Sequence, residues 1–220
     1  MEDYLKAIRH LQGSDGSVST SELAQELQRS PASVTNMVKS LAERGLVEHE
    51  PYYGVRLSEA GEREALRIIR RHRVLEAYLI EQLGYSWDRV HGEAERLEHA
   101  ASDELIERMA TALGHPEADP HGSPIPTREG RLDERRYPPL SRIKKGMRAT
   151  VREVSDSDEE RLRYLAELKL YPGTELEVLA HEPFEGSIRI RVAGEDRSLS
   201  PSLAESVKVE PQASDKESES

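Results

Sequence analysis

The spacing of apolar residues changes once along this chain, and the change limits the folds that the chain can adopt. Up to Leu113, apolar residues recur every three or four positions, which is the period of an amphipathic helix. From Arg142 onward they alternate with polar residues, as they do in strands with one buried face. The stretch between, residues 114–141, is rich in proline and poor in apolar side chains. The sequence therefore predicts an α+β protein, helical first and β-rich afterwards.

Two short helices and a hairpin are predicted between residues 19 and 58, after a first helix over residues 4–12. The segments "STSELAQELQ" and "RSPASVTNMVKSLAERG" have helical periodicity. Ser30 can cap the second helix, and Pro31 suits its first turn. "LVEHE" and "GVRLS" are predicted strands around the turn "PYYG". This order is the winged-helix pattern, whose second helix enters the DNA major groove. A small helical bundle without a ligand would give the same pattern.

The second helix and the wing supply candidate contacts to double-stranded DNA. An asparagine can pair with adenine through two hydrogen bonds, and methyl groups of alanine or threonine can contact thymine. Basic side chains and tyrosines can contact phosphates. The net charge of −11 opposes bulk attraction to nucleic acid, although basic residues outnumber acidic ones in the second helix. The candidates are Arg29, Ser30, Ala32, Ser33, Thr35, Asn36, Lys39, Arg44, Tyr52, Tyr53 and Arg56.

The composition excludes several kinds of site. The chain has no cysteine, which removes disulfides, thiolate zinc sites and thiol catalysis. A metal would therefore bind histidine, carboxylate, methionine, carbonyl or water, which are the harder ligands. No run of about eighteen apolar residues and no signal-peptide core is present. We expect a cytoplasmic protein that has no membrane partner.

Two groups of histidine and glutamate fall on predicted helices, which cover residues 62–83, 86–99 and 102–113. In "HGEAERLEHAASDE", spacings of three and four place histidines and glutamates on one helical face. "RRHRVLEAY" carries a second histidine–glutamate pair on the preceding helix, and antiparallel packing would bring the two groups together. They form either a solvated polar face or a cation site. The residues are His72, Glu76, His91, Glu95, Glu98 and His99.

Catalysis has no recognisable motif behind it. The sequence contains no H-E-x-x-H metalloprotease motif, no glycine-rich phosphate loop and no G-x-S-x-G elbow. We therefore assign no catalytic residue, no small-molecule substrate, and no role to His115 and His121. A metal-dependent hydrolase remains an alternative, and it would need an open coordination position and a substrate cleft.

The C-terminal part is predicted to form a small β-barrel. "ATVREV", "TELEVL", "SIRIRVAG" and "SLAESVKVE" have strand-like alternation, and "SDEERLRYLAELKLYPG" is a short helix between them. The charged, serine-rich tail "PQASDKESES" is predicted to be disordered.

Six segments carry a resemblance to a known family: "MEDYLKAI", "PASVTNMVKSLAERGLV", "GVRLSEAG", "RRHRVLE", "VHGEAERLEHAASDE" and "DPHGSPIP". With them the chain resembles, over nearly its whole length, the diphtheria-toxin-repressor family of metal-dependent transcriptional regulators, which includes iron-dependent repressors and manganese transport regulators. The resemblance implies a winged helix-turn-helix, a helical dimerisation domain and a β-barrel of the Src-homology type. The expected divisions are 1–64 for the winged helix, 65–127 for metal binding and dimerisation, 128–141 for a linker, 142–210 for the barrel and 211–220 for the tail.

The resemblance also implies two metal sites. The primary site would be formed by Asp3, Glu95, Glu98 and His99. The ancillary site would use His72, Glu76 and His91, closed by Glu153 and Asp156 from the barrel.

The choice of metal follows from two of these positions. Iron-type members of the family have methionine where Asp3 stands and cysteine where Glu95 stands, so this chain has the manganese-type pair. Barrel-less manganese regulators have a further glutamate where this chain has Lys6, which favours two separate sites over a bridged pair. The implied function is a Mn²⁺-dependent repressor that binds operator DNA as a homodimer and controls metal-uptake genes. Ferrous iron is the alternative effector.

Overall fold

The first helices and the hairpin form a winged helix. In the computed structural model the helices are α1 (Glu2–Leu11), α2 (Thr20–Glu26) and α3 (Pro31–Glu43), and the hairpin pairs β1 (Val47–Glu50) with β2 (Gly54–Leu57). The structure describes residues 1–12, 16–50 (without the side chain of residue 50), 54–133, 135–156, 158–184 and 186–212.

Local sequence explains where these helices begin. The Ser19 hydroxyl accepts from the amide of Glu22 at 3.1 Å, and Glu22 accepts from the amide of Ser19 at 2.8 Å, which completes a capping box. Ser30 caps α3 in the predicted way, with Pro31 in its first turn. Apolar faces of the three helices and the hairpin share one core. The opposite face of α3 is left at the surface.

The middle of the chain is a helical unit built on one long helix, α4 (Glu59–Leu83), with α5 (Val90–Leu97) and α6 (Asp103–Ala112) packed against it. The first half of α4 places Ala65 and Ile68 in the core of the winged helix. Its second half places Val74, Leu75 and Leu79 in a separate core. One continuous helix therefore joins the two units, across the division expected between residues 64 and 65.

Helix α5 is shorter than the predicted helix over residues 86–99. Glu98 follows its last residue as the C-cap, with helical φ of −57° and ψ of −35°. Glu98 therefore keeps the helical spacing, and the amide of Ala101 still donates to the carbonyl of Leu97 at 3.0 Å. Glu98 and His99 consequently lie at the end of the helix, where they face α1.

The C-terminal part is a five-stranded antiparallel sheet with two short helices, which is the SH3-like domain that the sequence predicts. The order across the sheet is β6-β5-β4-β3-β7. Its elements are β3 (Arg148–Val154), α7 (Glu159–Glu167), β4 (Glu175–His181), β5 (Ile188–Val192), β6 (Glu195–Leu199), α8 (Pro201–Glu205) and β7 (Val207–Pro211), preceded by a 3₁₀ turn over Leu140–Arg142.

One predicted strand of this domain is wrong in part. "SLAESVKVE" forms the end of α8 and then β7, because the Ser200 hydroxyl caps a helix with Pro201 in its first turn. Strand β6 was not predicted, since it buries only Leu199 and so lacks apolar alternation. Of the predicted disordered tail, residues 213–220 lie outside the described residues.

The barrel docks on the helical unit through the loop after α6. The Trp87 indole N–H donates to the carbonyl of Pro120 at 2.9 Å, and its ring centroid lies 4.9 Å from that of Tyr171. Gly122 has a φ of +91°, and a Cβ there would lie 1.9 Å from the carbonyl oxygen of Arg152. This close approach needs glycine, and it brings the residues that follow β3 beside the helices. No helix in the described ranges is long and apolar enough to cross a membrane.

Candidate metal centre and nucleic-acid interface

Three of the predicted primary ligands meet where the winged helix contacts the helical unit. Donor atoms of Asp3, Glu98 and His99 lie within 4.8 Å of one another. His99 Nε2 is 2.9 Å from Asp3 Oδ1 and 3.6 Å from Glu98 Oε1. His99 Nδ1 is 2.6 Å from a carboxylate oxygen of Glu2, which the sequence did not single out. We call Asp3, Glu98 and His99 the junction cluster.

Glu95, the fourth predicted primary ligand, faces a cation of the protein itself. The Lys6 ammonium donates to Glu95 Oε2 at 2.9 Å and to Glu98 Oε1 at 2.7 Å. Glu95 Oε2 is also 3.5 Å from His72 Nδ1. The structure therefore groups Glu95 with His72 and Glu98, next to Asp3 and His99.

Four of the five predicted ancillary ligands also meet. Both His72 Nε2 and His91 Nδ1 approach Glu76 Oε1, at 3.0 and 3.1 Å, and His91 Nδ1 is 3.4 Å from Asp156 Oδ2. Their donor atoms lie within 4.8 Å of one another, and Glu76 is fully buried. We call these four residues the ancillary cluster. His72 also joins it to the first site, since His72 Nδ1 is 2.6 Å from Glu98 Oε2.

The structure does not bring Glu153 into this cluster. Its carboxylate accepts from the ammonium of Lys208 at 3.2 Å. The pairing of β3 with β7 shifts register between Val151 and Glu153, and such a bulge re-aims the side chains that follow it. An ungapped reading of the strand cannot detect this shift.

The sequence missed two residues beside Glu76. Asp119 and His121 place donor atoms within 4.8 Å of Glu76, and all three residues are buried. In the described structure Glu76 Oε2, Asp119 Oδ2 and His121 Nδ1 have no hydrogen-bond partner. The proline-rich composition of their loop indicated a linker, and only its packing against α4 shows that it carries buried polar groups.

Neighbouring carboxylates favour the protonated form of the histidines in the ancillary cluster. Burial lowers the pKa of His72, but hydrogen bonds to Glu76 and Glu98 outweigh it and raise this pKa to about 9. Hydrogen bonds to Asp156 and Glu76 raise the pKa of His91 to about 10. Burial would raise the pKa of Glu76, yet its histidine neighbours lower it. Asp119, which is buried near the Glu76 charge, has a pKa raised to about 7.

This donor set fits a divalent cation. It consists of carboxylate oxygens and imidazole nitrogens, which bind Mn²⁺, Fe²⁺ and similar ions. Glu76 Oε2 and Asp119 Oδ2 have charged neighbours at 3.8 and 3.5 Å but no hydrogen bond among the described residues, whereas buried oxygens normally make one. A bound ion would satisfy them and replace the protons on the histidines.

The surface of α3 carries most of the predicted DNA contacts. Ala32, Ser33, Asn36 and Lys39 are exposed on it, and Arg29 and Arg44 are exposed at its two ends. This arrangement leaves an amide, small side chains and basic groups facing outward from one helix.

Other candidates have local partners or lie outside the described residues. The Ser30 hydroxyl caps α3, and the Thr35 hydroxyl donates to the carbonyl of Pro31 at 2.9 Å. Arg56 on β2 pairs with Glu48 on β1, with 2.5 Å between the charged atoms. Tyr52 and Tyr53 belong to residues 51–53 of the wing, which the structure does not describe.

A winged helix joined to a helical unit through a carboxylate–histidine cluster defines a class, the metal-regulated DNA-binding proteins. Three family descriptions match in the same order as the structural units. Residues 1–55 match the N-terminal DNA-binding domain of the iron dependent repressors, and residues 58–127 match their metal-binding and dimerisation domain. Residues 139–211 match the FeoA domain. The chain belongs to the iron-dependent repressor family.

Individual relatives agree with this assignment. The diphtheria toxin repressor of Corynebacterium glutamicum is 28% identical over 219 residues, with 95% of each chain covered. The transcriptional regulator MntR of Lysinibacillus sphaericus is 33% identical over 120 residues, which cover 54% of this chain and 86% of MntR. A solved structure described as a manganese-dependent transcriptional repressor in complex with manganese is 40% identical, with a TM-score of 0.87 over 94% of this chain and 98% of that one.

These findings confirm the family that the sequence motifs indicated. The protein is a metal-dependent transcriptional repressor and not an enzyme, so the hydrolase alternative is set aside. The family binds operator DNA and dimerises through the domain that holds the metal.

Proposed function

We propose that this protein is a manganese-dependent repressor that binds operator DNA as a homodimer and controls metal-uptake genes. One observation carries the proposal: Asp3 of the DNA-binding unit meets Glu98 and His99 of the metal-binding unit at the junction cluster. The similarity to a manganese-dependent repressor solved with manganese supports the choice of ion. A regulator of this kind acts where the chromosome lies, in the cytoplasm.

The residues of the two clusters would hold two separate ions. The primary ion would bind Asp3, Glu95, Glu98 and His99. The ancillary ion would bind His72, Glu76, His91 and Asp156, with Asp119 and His121 close enough to contribute. Glu153 would join the second set only after leaving Lys208. A bound divalent ion would supply positive charge shared between the DNA-binding and helical units.

Helix α1 links the primary site to the DNA-reading helix. On its inner face, Leu5 and Ile8 are fully buried in the same core as Val38 and Leu41 of α3. On its outer face, Asp3 lies in the junction cluster. The position of Asp3 relative to the helical unit therefore sets the position of α3. Any preference of a ligand for the closed junction becomes a preference for one DNA-binding geometry.

Dimerisation would place two copies of α3 on one operator. The helical unit exposes large apolar side chains, with Leu83 61% exposed, Leu105 43%, Tyr85 39% and Leu97 37%. We assign the dimer surface to this unit because exposed apolar groups of this size commonly mark interfaces. Two reading helices related by a twofold axis would fit a near-palindromic operator, with half-sites one helical turn or a multiple apart.

The test measures DNA affinity against free metal. Labelled promoter fragments of metal-uptake genes from the source organism are titrated with protein in Mn²⁺, in Fe²⁺ without oxygen, and in chelator. We expect Mn²⁺ to tighten specific binding at least about tenfold, as typical couplings do. Asp3→Ala should lose most of this response, and Glu167→Ala on the barrel should keep it.

Three outcomes would change the proposal. Equal affinity in metal and chelator would remove metal control of DNA binding. Equal activation by Mn²⁺ and Fe²⁺ would identify a regulator that responds to both ions. Activation by Fe²⁺ alone would replace manganese with iron.

A further inference from the structure

Lys6 places a positive charge inside the junction where the primary ion would bind. It lies on α1 one helical turn after Asp3, on the same face of the helix. Its ammonium donates to one oxygen each of Glu95 and Glu98, at 2.9 and 2.7 Å. The Lys6 side chain is only 21% exposed, and that of Glu98 is fully buried. Both are charge-assisted hydrogen bonds, and the one to Glu98 is shielded from water, whereas the Glu95 side chain is 44% exposed.

The surroundings of Lys6 show why this cation is held there. Glu95 and Glu98 lie close together, and two such carboxylates would repel each other without a cation between them. The Lys6 ammonium lies between them, 2.9 Å from Glu95 Oε2 and 2.7 Å from Glu98 Oε1. Repulsion among the acidic residues alone would open the ion-free junction. Lys6 offsets that repulsion.

We infer that Lys6 is a built-in counter-ion that holds Glu95 and Glu98 in the ion-free protein and must release them before both can bind a divalent cation. The inference rests on the proposed function, because it assumes that these carboxylates are metal ligands. It adds that the chain's own ammonium competes with the ion for the same oxygens. Lys6 would therefore weaken the primary site, and so raise the free metal concentration at which the repressor responds.

The competition also predicts the state of α1 without metal. Lys6 joins α1 to Glu95 on α5 and to Glu98 at its end. These ion pairs would partly offset the repulsion that opens the junction when metal is absent. Metal binding would then exchange one cation for another. Removing the ammonium should loosen α1 in the ion-free protein and strengthen metal binding at the same time. A lysine that only stabilised the fold would have the first effect without the second.

The experiment uses full-length protein and Mn²⁺ in competition with a fluorescent chelator. Lys6→Met removes the charge and keeps the length of the side chain, whereas Lys6→Arg keeps the charge. Arg9→Met is the matched control, because Arg9 also links α1 to another helix through an ion pair, with 2.5 Å between its Nε and Glu62 Oε1. Asp3→Ala identifies which binding phase belongs to the primary site. Hydrogen exchange of the α1 amides without metal is the second readout.

We expect Lys6→Met to bind Mn²⁺ at the primary site about tenfold more tightly than the starting protein, with faster α1 exchange when metal is absent. Lys6→Arg and Arg9→Met should show no tighter binding. Unchanged or weaker Mn²⁺ affinity in a folded Lys6→Met protein would overturn the inference. If Asp3→Ala removes no Mn²⁺-binding phase from the titration, the proposed primary metal site is wrong. If Asp3→Ala removes a Mn²⁺-binding phase but Lys6→Met leaves its affinity unchanged, only the counter-ion role of Lys6 is rejected.

Discussion

At the scale of single residues, His72 is the side chain that connects the two proposed metal sites. Its Nδ1 lies 2.6 Å from Glu98 Oε2, and its Nε2 lies 3.0 Å from Glu76 Oε1. A neutral imidazole has one proton for its two nitrogens, so both contacts can be donated only by the charged ring. The raised pKa of His72 agrees with this. An ion that binds one nitrogen therefore changes the charge that the other carboxylate faces.

Replacing Glu76 with glutamine tests the charge at the centre of the ancillary cluster. Glu76 is fully buried, and His72 and His91 both approach the same oxygen. We expect Glu76→Gln to lose Mn²⁺ binding at that site and to destabilise the metal-free protein by about 1–3 kcal/mol, the usual cost of an unsatisfied buried partner. Metal titration and urea unfolding measure the two effects. Glu167→Gln, which changes an exposed glutamate, should leave both unchanged, and a stable Glu76→Gln protein with full stoichiometry would contradict the assignment.

The stability of the metal-free protein should depend on pH in a defined direction. His72 and His91 have pKa values of about 9 and about 10 in the folded chain, above the value of about 6.5 expected when unfolded. Their stabilising effect is therefore complete below about pH 6.5 and is lost as the pH rises through 9 and 10. Thermal unfolding in chelator should show a midpoint that falls over this range. His72→Gln should flatten the fall, and a midpoint that rises would show that the folded histidines are neutral.

At the scale of elements, α3 carries two kinds of candidate DNA contact: base contacts, which give sequence specificity, and phosphate contacts, which do not. Asn36 and Lys39 are both exposed on this helix. We expect Asn36→Ala to reduce the preference for the operator over unrelated DNA by roughly 1–3 kcal/mol, the value of one good base contact. Lys39→Ala should weaken binding to both DNAs by a similar factor. Binding curves on operator and scrambled fragments, in saturating Mn²⁺, compare the two. Undiminished preference in Asn36→Ala would exclude it from base reading.

The elements also show how far sequence alone could lead. Helix starts were predictable where a serine caps and a proline follows, as at Ser30, and stops where glycine takes a positive φ, as at Gly84. The C-terminal end of α5 was not predictable, because Glu98 keeps helical dihedrals beyond the last regular turn. The histidine and glutamate spacings predicted which helices carry the donor atoms that lie together in the structure. Asp119 lies on a loop whose burial depends on distant residues, and no local pattern encodes such a contact.

At the scale of the whole molecule, the small number of basic residues available to contact phosphates should limit the salt dependence of DNA binding. The chain carries −11, and each protomer offers four basic candidates for phosphate contact, namely Arg29, Lys39, Arg44 and Arg56. At about 0.9 per neutralised phosphate, eight contacts in a dimer would give a slope no steeper than about −7 in log affinity against log salt. Titrations between low and physiological salt measure this slope. A steeper slope would show that further basic residues contact DNA.

The unbroken course of α4 has a consequence for anyone who recombines such regulators. The helix has 25 residues, with the winged-helix core at its beginning and His72 and Glu76 further along. Each residue turns an α-helix by about 100°, so the number of residues in α4 fixes the rotation of the winged helix relative to the helical unit. A variant with one alanine inserted after Ile68 would rotate the winged helix by that angle. The winged helix should still fold, yet Mn²⁺ should no longer tighten operator binding. A seven-residue insertion would nearly restore the angle but add about 10 Å of length. Grafts between relatives should therefore keep this helix intact and exchange parts only at the loops on either side of it.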